Sequence, residues 1–208
     1  LDCADAIVVF NEEDKTYLDS LKASVYVSPF RVPNELIQKN EISNTFKKFL
    51  FIGGEFHYPN KEGLEWFLDV IYISNLDKIN WPIYIIGEWS KSFIGKYQSF
   101  KGKIVFCGFV PDLKAYYDES VMIVPILSGS GIRTKILTAL ANKIPVLATQ
   151  FACEGLLFND KLNNHVSLFN NESEFLNFFL KYFNNDFLAK QVNGGIEFYN
   201  NSFGVSKL

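Results

Sequence analysis

The 208-residue sequence predicts an α/β fold in which a doubly wound parallel sheet carries helices on both faces. Three observations support this fold class. Short apolar runs alternate with amphipathic stretches from Lys48 onward, as in βαβ units. Several apolar runs end in glycine, and 48% of the residues are hydrophobic, which suffices for a large core. The stretch from Val121 to Thr149 combines apolar strand, glycine turn, amphipathic helix and second strand in one βαβ unit.

The first part of the chain precedes this alternation. Ala6 to Phe10 is a short apolar run that predicts a strand, and Asn11 is placed to cap a helix over Glu12 to Leu21. A second strand is predicted at Val25 to Ser28. Prolines and a polar run then interrupt all periodicity, so residues 31–47 are expected to form a linker.

The elements of the main sheet follow in order. Apolar residues recur with helical spacing from Leu64 to Ile71, and Asn60 is expected to cap that helix. The remaining apolar runs and periodic stretches predict strands at Phe49 to Ile52, Ile83 to Ile86, Ile104 to Cys107 and Val166 to Phe169, and helices at Ser90 to Tyr97, Asp112 to Tyr117 and Glu172 to Tyr182.

Composition excludes several classes of function. A net charge of -3 without a long basic run argues against nucleic acid as a partner. No apolar run reaches the roughly 18 residues that cross a bilayer. Cys3, Cys107 and Cys153 are odd in number and widely spaced, which favours a reduced, cytoplasmic location over a disulfide framework. The sequence shows no Asp-x-Asp, Cys-x-x-Cys or histidine cluster, so no metal and no cofactor are expected.

A glycine-containing turn carries the most informative chemistry. Ser128-Gly129-Ser130-Gly131 joins a strand to a helix that is expected to start near Gly131, and Arg133 and Lys135 add two positive charges in its first turns. Backbone N–H groups, a helix N-terminus and two cations together predict an anion site. An ordinary turn on a solvated helix face is the alternative explanation of the same residues.

Three other strands end in glycine, at Gly53, Gly87 and Gly108. Because parallel strands end at the same edge of a sheet, these glycines and the Ser-Gly turn predict one crevice at that edge. Ligands of doubly wound sheets bind there, at the point where the strand order reverses.

Three separated segments carry a family resemblance. Phe51-Ile52-Gly53-Gly54, Gly108-Phe109-Val110-Pro111-Asp112-Leu113, and Pro125 through Thr149 resemble the C-terminal, donor-binding domain of GT-B glycosyltransferases of the retaining, glycogen-synthase-like family 4. The match covers roughly residues 48 to 182 in register and in order. The resemblance implies the Rossmann-like half of a GT-B fold, binding a nucleotide-diphospho-sugar without a metal.

The resemblance also assigns the parts of the chain. Residues 1–30 look like the remnant of an N-terminal acceptor domain, 31–47 like the interdomain linker, 48–185 like the donor-binding domain and 186–208 like a C-terminal helical tail. The acceptor domain would then be mostly missing, and the fragment inactive by itself. A saccharide, lipid-linked or other acceptor, polysaccharide biosynthesis and peripheral membrane association of the full-length protein are expected on the same grounds.

In this family an arginine and a lysine stabilise the leaving diphosphate, which implies catalytic roles for Arg133 and Lys135. Ser130 and Gly131 would donate hydrogen bonds to the donor. Gly53 and Gly54 would line its cleft, and the backbone of Val110 would hold the base. Those seven residues, with Thr138 and Glu154, make up the predicted site.

The sequence departs from the family pattern at two glutamates separated by seven residues. Ser130 and Thr138 stand at these positions, and neither binds hydroxyl groups as a carboxylate does. Glu154 is the carboxylate expected at the ligand edge instead. Lys143 replaces a usual glycine, where a positive φ would be strained.

Three alternatives are also compatible with these residues. The departures at Ser130, Thr138 and Lys143 favour a degenerate, noncatalytic domain that acts as an interaction or regulatory module. A nucleotide-sugar epimerase would share the architecture and the cleft. A flavodoxin-like or response-regulator-like signalling domain would need an acidic cluster at the carboxyl edge of the sheet, and the sequence predicts none.

Overall fold

The computed structural model describes residues 4–18, 20, 23–38, 43, 45–156 and 165–203. It begins with a parallel pair of strands, β1 (Ala6–Val9) and β2 (Ser24–Val27), joined through helix α1 (Glu12–Leu18). The predicted cap of α1 is confirmed, because the Asp14 N–H donates to Asn11 Oδ1 at 2.7 Å.

A six-stranded, all-parallel sheet forms the centre of the fold. Its strands are β3 (Lys48–Ile52), β4 (Ile83–Ile86), β5 (Ile104–Gly108), β6 (Ser120–Val124), β7 (Val146–Ala148) and β8 (Val166–Leu168). The α-helices of this part are α2 (Tyr58–Trp66), α3 (Lys91–Lys96), α4 (Lys114–Tyr117), α5 (Thr134–Ala141), α6 (Glu172–Tyr182) and α7 (Asn185–Phe203). The predicted fold class, a doubly wound parallel α/β sheet, is confirmed.

The sheet is buried on both faces, as the apolar runs predicted. Along β3, the rings of Phe49 and Phe51 pack on the face covered by α2 and α6, whereas Leu50 packs on the face covered by α5. The aromatic side is dense: the Phe49 ring lies edge-on to Phe175 of α6, with their centroids 6.0 Å apart. Strand alternation therefore sends consecutive residues into two separate cores.

The strand order β5-β4-β3-β6-β7-β8 reverses between β3 and β6. The chain after β3 enters α2 on one face, and the chain after β6 enters α5 on the other. The two connections therefore diverge and leave a crevice at the carboxyl ends of the two central strands, as expected for a doubly wound sheet.

Helix α7 and residues 32–38, part of the segment predicted to be a linker, pack beside α5. Gly195 of α7 lies so close to Leu140 that an added Cβ would be 2.8 Å from its side chain. The Val32 N–H of the linker donates to the Tyr199 hydroxyl of α7 at 3.2 Å. The helical tail predicted from residue 186 thus starts at Asn185 and is docked as far as it is described.

Two further findings concern the whole chain. No helix in the described part of the chain is long and apolar enough to span a membrane. Cys107 and Cys153 are free thiols, and Cys3 lies outside the described residues.

Candidate functional site

A cavity of about 260 Å³ opens at the reversal point, between the ends of β3 and β6. We name it the cation cavity, because Arg133 and Lys135 both line it, together with Gly53, Asn60 and Ser130. The first turns of α2 and α5 border it through Pro59 and Thr134. Two helix N-termini and two cations thus face one space, which is the arrangement that binds anions.

Lys135 is held at the wall of this cavity. Its Nζ donates to Asn60 Oδ1 at 2.6 Å and lies 4.9 Å from the centroid of the Phe51 ring. Burial, with a smaller contribution from the charge of Arg133, lowers the pKa of Lys135 to about 8. None of the salt bridges in the described part of the chain includes Lys135, so an anionic ligand would give the ammonium a charged partner.

Arg133 stabilises the Ser-Gly turn. Its Nη1 donates to the carbonyls of Ser130 and Gly131 at 2.6 and 2.8 Å, and its Nη2 donates to that of Ser128 at 3.3 Å. Its Nε is buried without a hydrogen-bond partner. Burial lowers the pKa of the guanidinium, whereas the carboxylate of Glu154 raises it.

The helix that follows the Ser-Gly turn starts later than predicted. α5 begins at Thr134 instead of near Gly131, and Arg133 occupies the N-cap position. Gly129 and Gly131 have φ values of 102° and 80°, which are incompatible with a helix. Of the two cations, Lys135 lies in the first turn of the helix, whereas Arg133 precedes it.

Asn60 has a different role from the predicted helix cap. The helix begins two residues earlier, at Tyr58, and the buried Asn60 side chain lies inside it. Its Nδ2 donates to the Gly54 carbonyl at 3.2 Å while its Oδ1 accepts from Lys135. Gly53 must lack a side chain there, because an added Cβ would lie 2.7 Å from Asn60 Nδ2. The sequence did not reveal this role of Asn60.

Helix α2 also fixes the Ser-Gly turn. The Ser128 hydroxyl donates to the Glu62 carboxylate. An added Cβ on Gly129 would lie 3.0 Å from Pro59, so the turn packs directly on the first turn of the helix. The backbone that faces the cation cavity is thus held from the opposite side of the crevice.

A second cavity of about 340 Å³ adjoins the first and shares Ile52, Thr134 and Lys135 with it. We name it the linker cavity, because residues of the linker, Glu35 among them, form one wall. Thr138 of α5, one of the predicted site residues, also lines it.

A third cavity, of about 200 Å³, lies between the Ser-Gly turn and α1, and we name it the α1 cavity. Ser130, Gly131, Arg133 and Glu154 line it from one side, and Glu13 lines it from the other. The structure thus brings seven of the nine predicted residues to three neighbouring cavities: Gly53, Ser130, Gly131, Arg133, Lys135, Thr138 and Glu154.

Gly54 and Val110 stand apart from these cavities. The Gly54 carbonyl accepts the bond from Asn60, so its contribution to the site is indirect. Val110 is half-buried and packs against the core. Lys143 has a φ of 60°, a positive value that glycine adopts at lower cost than lysine.

A sequence profile described as "Glycosyl transferases group 1" matches residues 47–181. The chain belongs to this family. The matched residues include β3, the cation cavity and the Ser-Gly turn, so the family assignment rests on the same part of the chain as the site. Among curated proteins, no sequence matches this chain.

Solved structures share the fold of this group 1 glycosyltransferase chain. A mutant of S. aureus TarM, in complex with Fondaparinux, alpha-GlcNAc-glycerol and UDP, has a TM-score of 0.72 at 14% identity over 96% of this chain and 41% of its own. Alr3699/HepE of Anabaena, in complex with UDP and glucose, has a TM-score of 0.69 at 10% identity over 97% of this chain and 60% of its own. The C-terminal domain of LpcC from Francisella tularensis has a TM-score of 0.56 at 18% identity over 85% of this chain and 96% of its own.

These comparisons place the chain in the Rossmann-like half of the GT-B fold. The chain spans 41% of the length of TarM but corresponds to nearly the whole LpcC domain. Within the described residues, no group of three or more His, Cys, Asp and Glu side chains is arranged to hold a metal ion.

Proposed function

We propose that this chain is the donor-binding part of a retaining glycosyltransferase that uses a nucleotide-diphospho-sugar. The observation that carries the proposal is the cation cavity, where Lys135, Arg133 and two helix N-termini face the reversal point of the sheet. A diphosphate is the anion that such a site suits, because its charge is spread over several oxygens.

The three cavities suit the three parts of such a donor. The diphosphate would occupy the cation cavity, the nucleoside the adjoining linker cavity and the sugar the α1 cavity, which meets the cation cavity at Ser130 and Arg133. As the bond from sugar to diphosphate breaks, negative charge grows on the leaving phosphate. Lys135 would stabilise that charge directly, and Arg133 would do so through the turn that it holds in place. No metal and no cofactor are part of this scheme.

Two structurally similar proteins support the choice of ligand. HepE and the TarM mutant were each solved with UDP. We further propose that a longer protein supplies the acceptor site, for a saccharide, lipid-linked or other acceptor, and that it works in the cytoplasm with peripheral membrane association.

Isothermal titration of the chain with UDP, GDP and ADP sugars tests the proposal. At least one donor should bind, and Lys135→Ala should weaken that binding by about 10- to 100-fold, the effect of losing a hydrogen bond to a charged group. Lys91→Ala, which removes a lysine of α3, is the matched control and should leave the affinity unchanged. No binding of any sugar nucleotide at millimolar concentration would refute the proposal.

One observation favours a second candidate, a noncatalytic interaction module. Three donor bonds of Arg133 go to carbonyls of its own turn, so this cation is less free to hold a ligand than the family role requires. An interaction module predicts that no sugar nucleotide binds to the wild type, nor to a Thr138→Glu variant with the family carboxylate restored.

A further inference from the structure

The linker cavity contains a carboxylate that the family pattern does not supply. The resemblance described above implies a glutamate at the position of Thr138, and Glu35 lines the same cavity from the linker. Among the described residues around this cavity, Glu35 alone carries a carboxylate. Its position can therefore compensate for the departure at Thr138.

The linker is fastened over this cavity by a buried side chain. Asn142, only 2% exposed at the end of α5, accepts from the Gln38 N–H at 2.6 Å and donates to the Leu36 carbonyl at 3.0 Å. The same amide donates to the Thr138 carbonyl at 2.8 Å. The short 3₁₀ turn Asn34–Leu36, which carries Glu35, is thus tied to the helix that carries Thr138.

The rest of the cavity suits a nucleoside. Leu113, Tyr117 and Met122 give it an apolar side, against which a base can pack. Lys135 lies where this cavity meets the cation cavity, so a diphosphate at Lys135 would leave its ribose near the junction. A ribose there offers two neighbouring hydroxyl donors, which a single carboxylate accepts with both oxygens.

We propose that Glu35 binds the 2′ and 3′ hydroxyls of the donor ribose, in place of the family glutamate that Thr138 replaces. The inference rests on the proposed function, since it needs a nucleotide in the crevice. The ribose would then be recognised by a residue of the linker instead of by a residue of α5, and the bonds from Asn142 would position that part of the linker.

The test compares ribose and 2′-deoxyribose forms of whichever of UDP, GDP and ADP binds best, by isothermal titration. The wild type should prefer the ribose form by about tenfold, because hydrogen bonds to a carboxylate are of the stronger, charge-assisted kind. Glu35→Ala should bind the ribose form about 10- to 100-fold more weakly and lose the preference. Glu197→Ala, an exposed glutamate of α7, is the matched control and should behave as the wild type.

Two more variants separate this inference from the proposed function. Lys135→Ala should weaken both forms equally and keep the preference for ribose. Glu35→Ala combined with Thr138→Glu should regain the preference, because a carboxylate returns to the same cavity. If Glu35→Ala binds nucleotide and keeps the wild-type preference, the role of Glu35 is refuted while the proposed function stands. If the wild type binds no nucleotide, the proposed function itself has failed.

Discussion

Nucleotide binding should be coupled to protonation of Lys135. The pKa of this side chain is lowered to about 8 by burial and by Arg133, and a diphosphate next to Nζ would offset the second cause and add an attractive charge. With a pKa of about 8, about three quarters of the Lys135 side chains are neutral at pH 8.5. If the bound state holds Lys135 fully charged, each nucleotide that binds takes up about 0.75 proton.

The assay is isothermal titration at pH 8.5 in two buffers that differ in ionisation enthalpy, because the difference in binding heat gives the number of protons taken up. Lys135→Met should abolish the uptake. His57→Gln, which removes the imidazole that lines the cation cavity, and Lys91→Met should both preserve it. Binding without proton uptake, or equal uptake in Lys135→Met, would refute the assignment of Lys135 as the cation that meets the diphosphate.

Three further predictions concern the same crevice. Because the pKa of Lys135 in the folded chain lies below its ordinary value of 10.5, the unfolded chain binds more protons between pH 8 and 10.5. The free energy of unfolding of the wild type, measured in urea relative to Lys135→Met, should therefore rise by about 3 kcal/mol across that range. A difference that does not change with pH would contradict the lowered pKa. Asn60→Asp places a carboxylate where the Asn60 Oδ1 now lies 2.6 Å from Lys135 Nζ, so it should raise the pKa of Lys135. Isothermal titration should then show less proton uptake at pH 8.5 and weaker diphosphate binding. Unchanged proton uptake would show that Asn60 does not control the protonation of Lys135. Gly63→Ala should destabilise the fold by about 3 kcal/mol, because the added Cβ would lie 2.0 Å from the Pro125 carbonyl oxygen. Gly95→Ala in α3 should stabilise the fold by about 0.5 to 1 kcal/mol, because the added Cβ would have no neighbouring atom within 4 Å. Equal effects of the two substitutions would contradict the close packing of α2 on the end of β6.

The sequence predicts the sheet well because strand signals are local. The apolar runs and the glycines that end them place β3 to β5 within about a residue of their observed bounds, and α6 was predicted at its observed bounds, Glu172 to Tyr182. Because parallel strands end at the same edge, the site could be placed at that edge of the sheet, whereas the reversal point between β3 and β6 comes from the strand order in the structure.

The details of the site depend on contacts between distant parts of the chain. Local capping rules predicted a helix cap at Asn60, but its side chain binds Lys135, which is 75 positions later in the sequence. Glycine spacing predicted a helix start near Gly131, but the bonds from Arg133 to its own turn delay the helix to Thr134. Glu35 belongs to no sequence motif. It lines the linker cavity in the structure, where Asn142 holds the neighbouring residues Leu36 and Gln38.

A crystal structure of the chain with a bound nucleoside diphosphate tests the central claim most directly. The diphosphate should lie in the cation cavity, with an oxygen about 3 Å from Lys135 Nζ, and the nucleoside should lie in the linker cavity. A nucleotide bound elsewhere on the chain, with Lys135 still bonded only to Asn60, would contradict it.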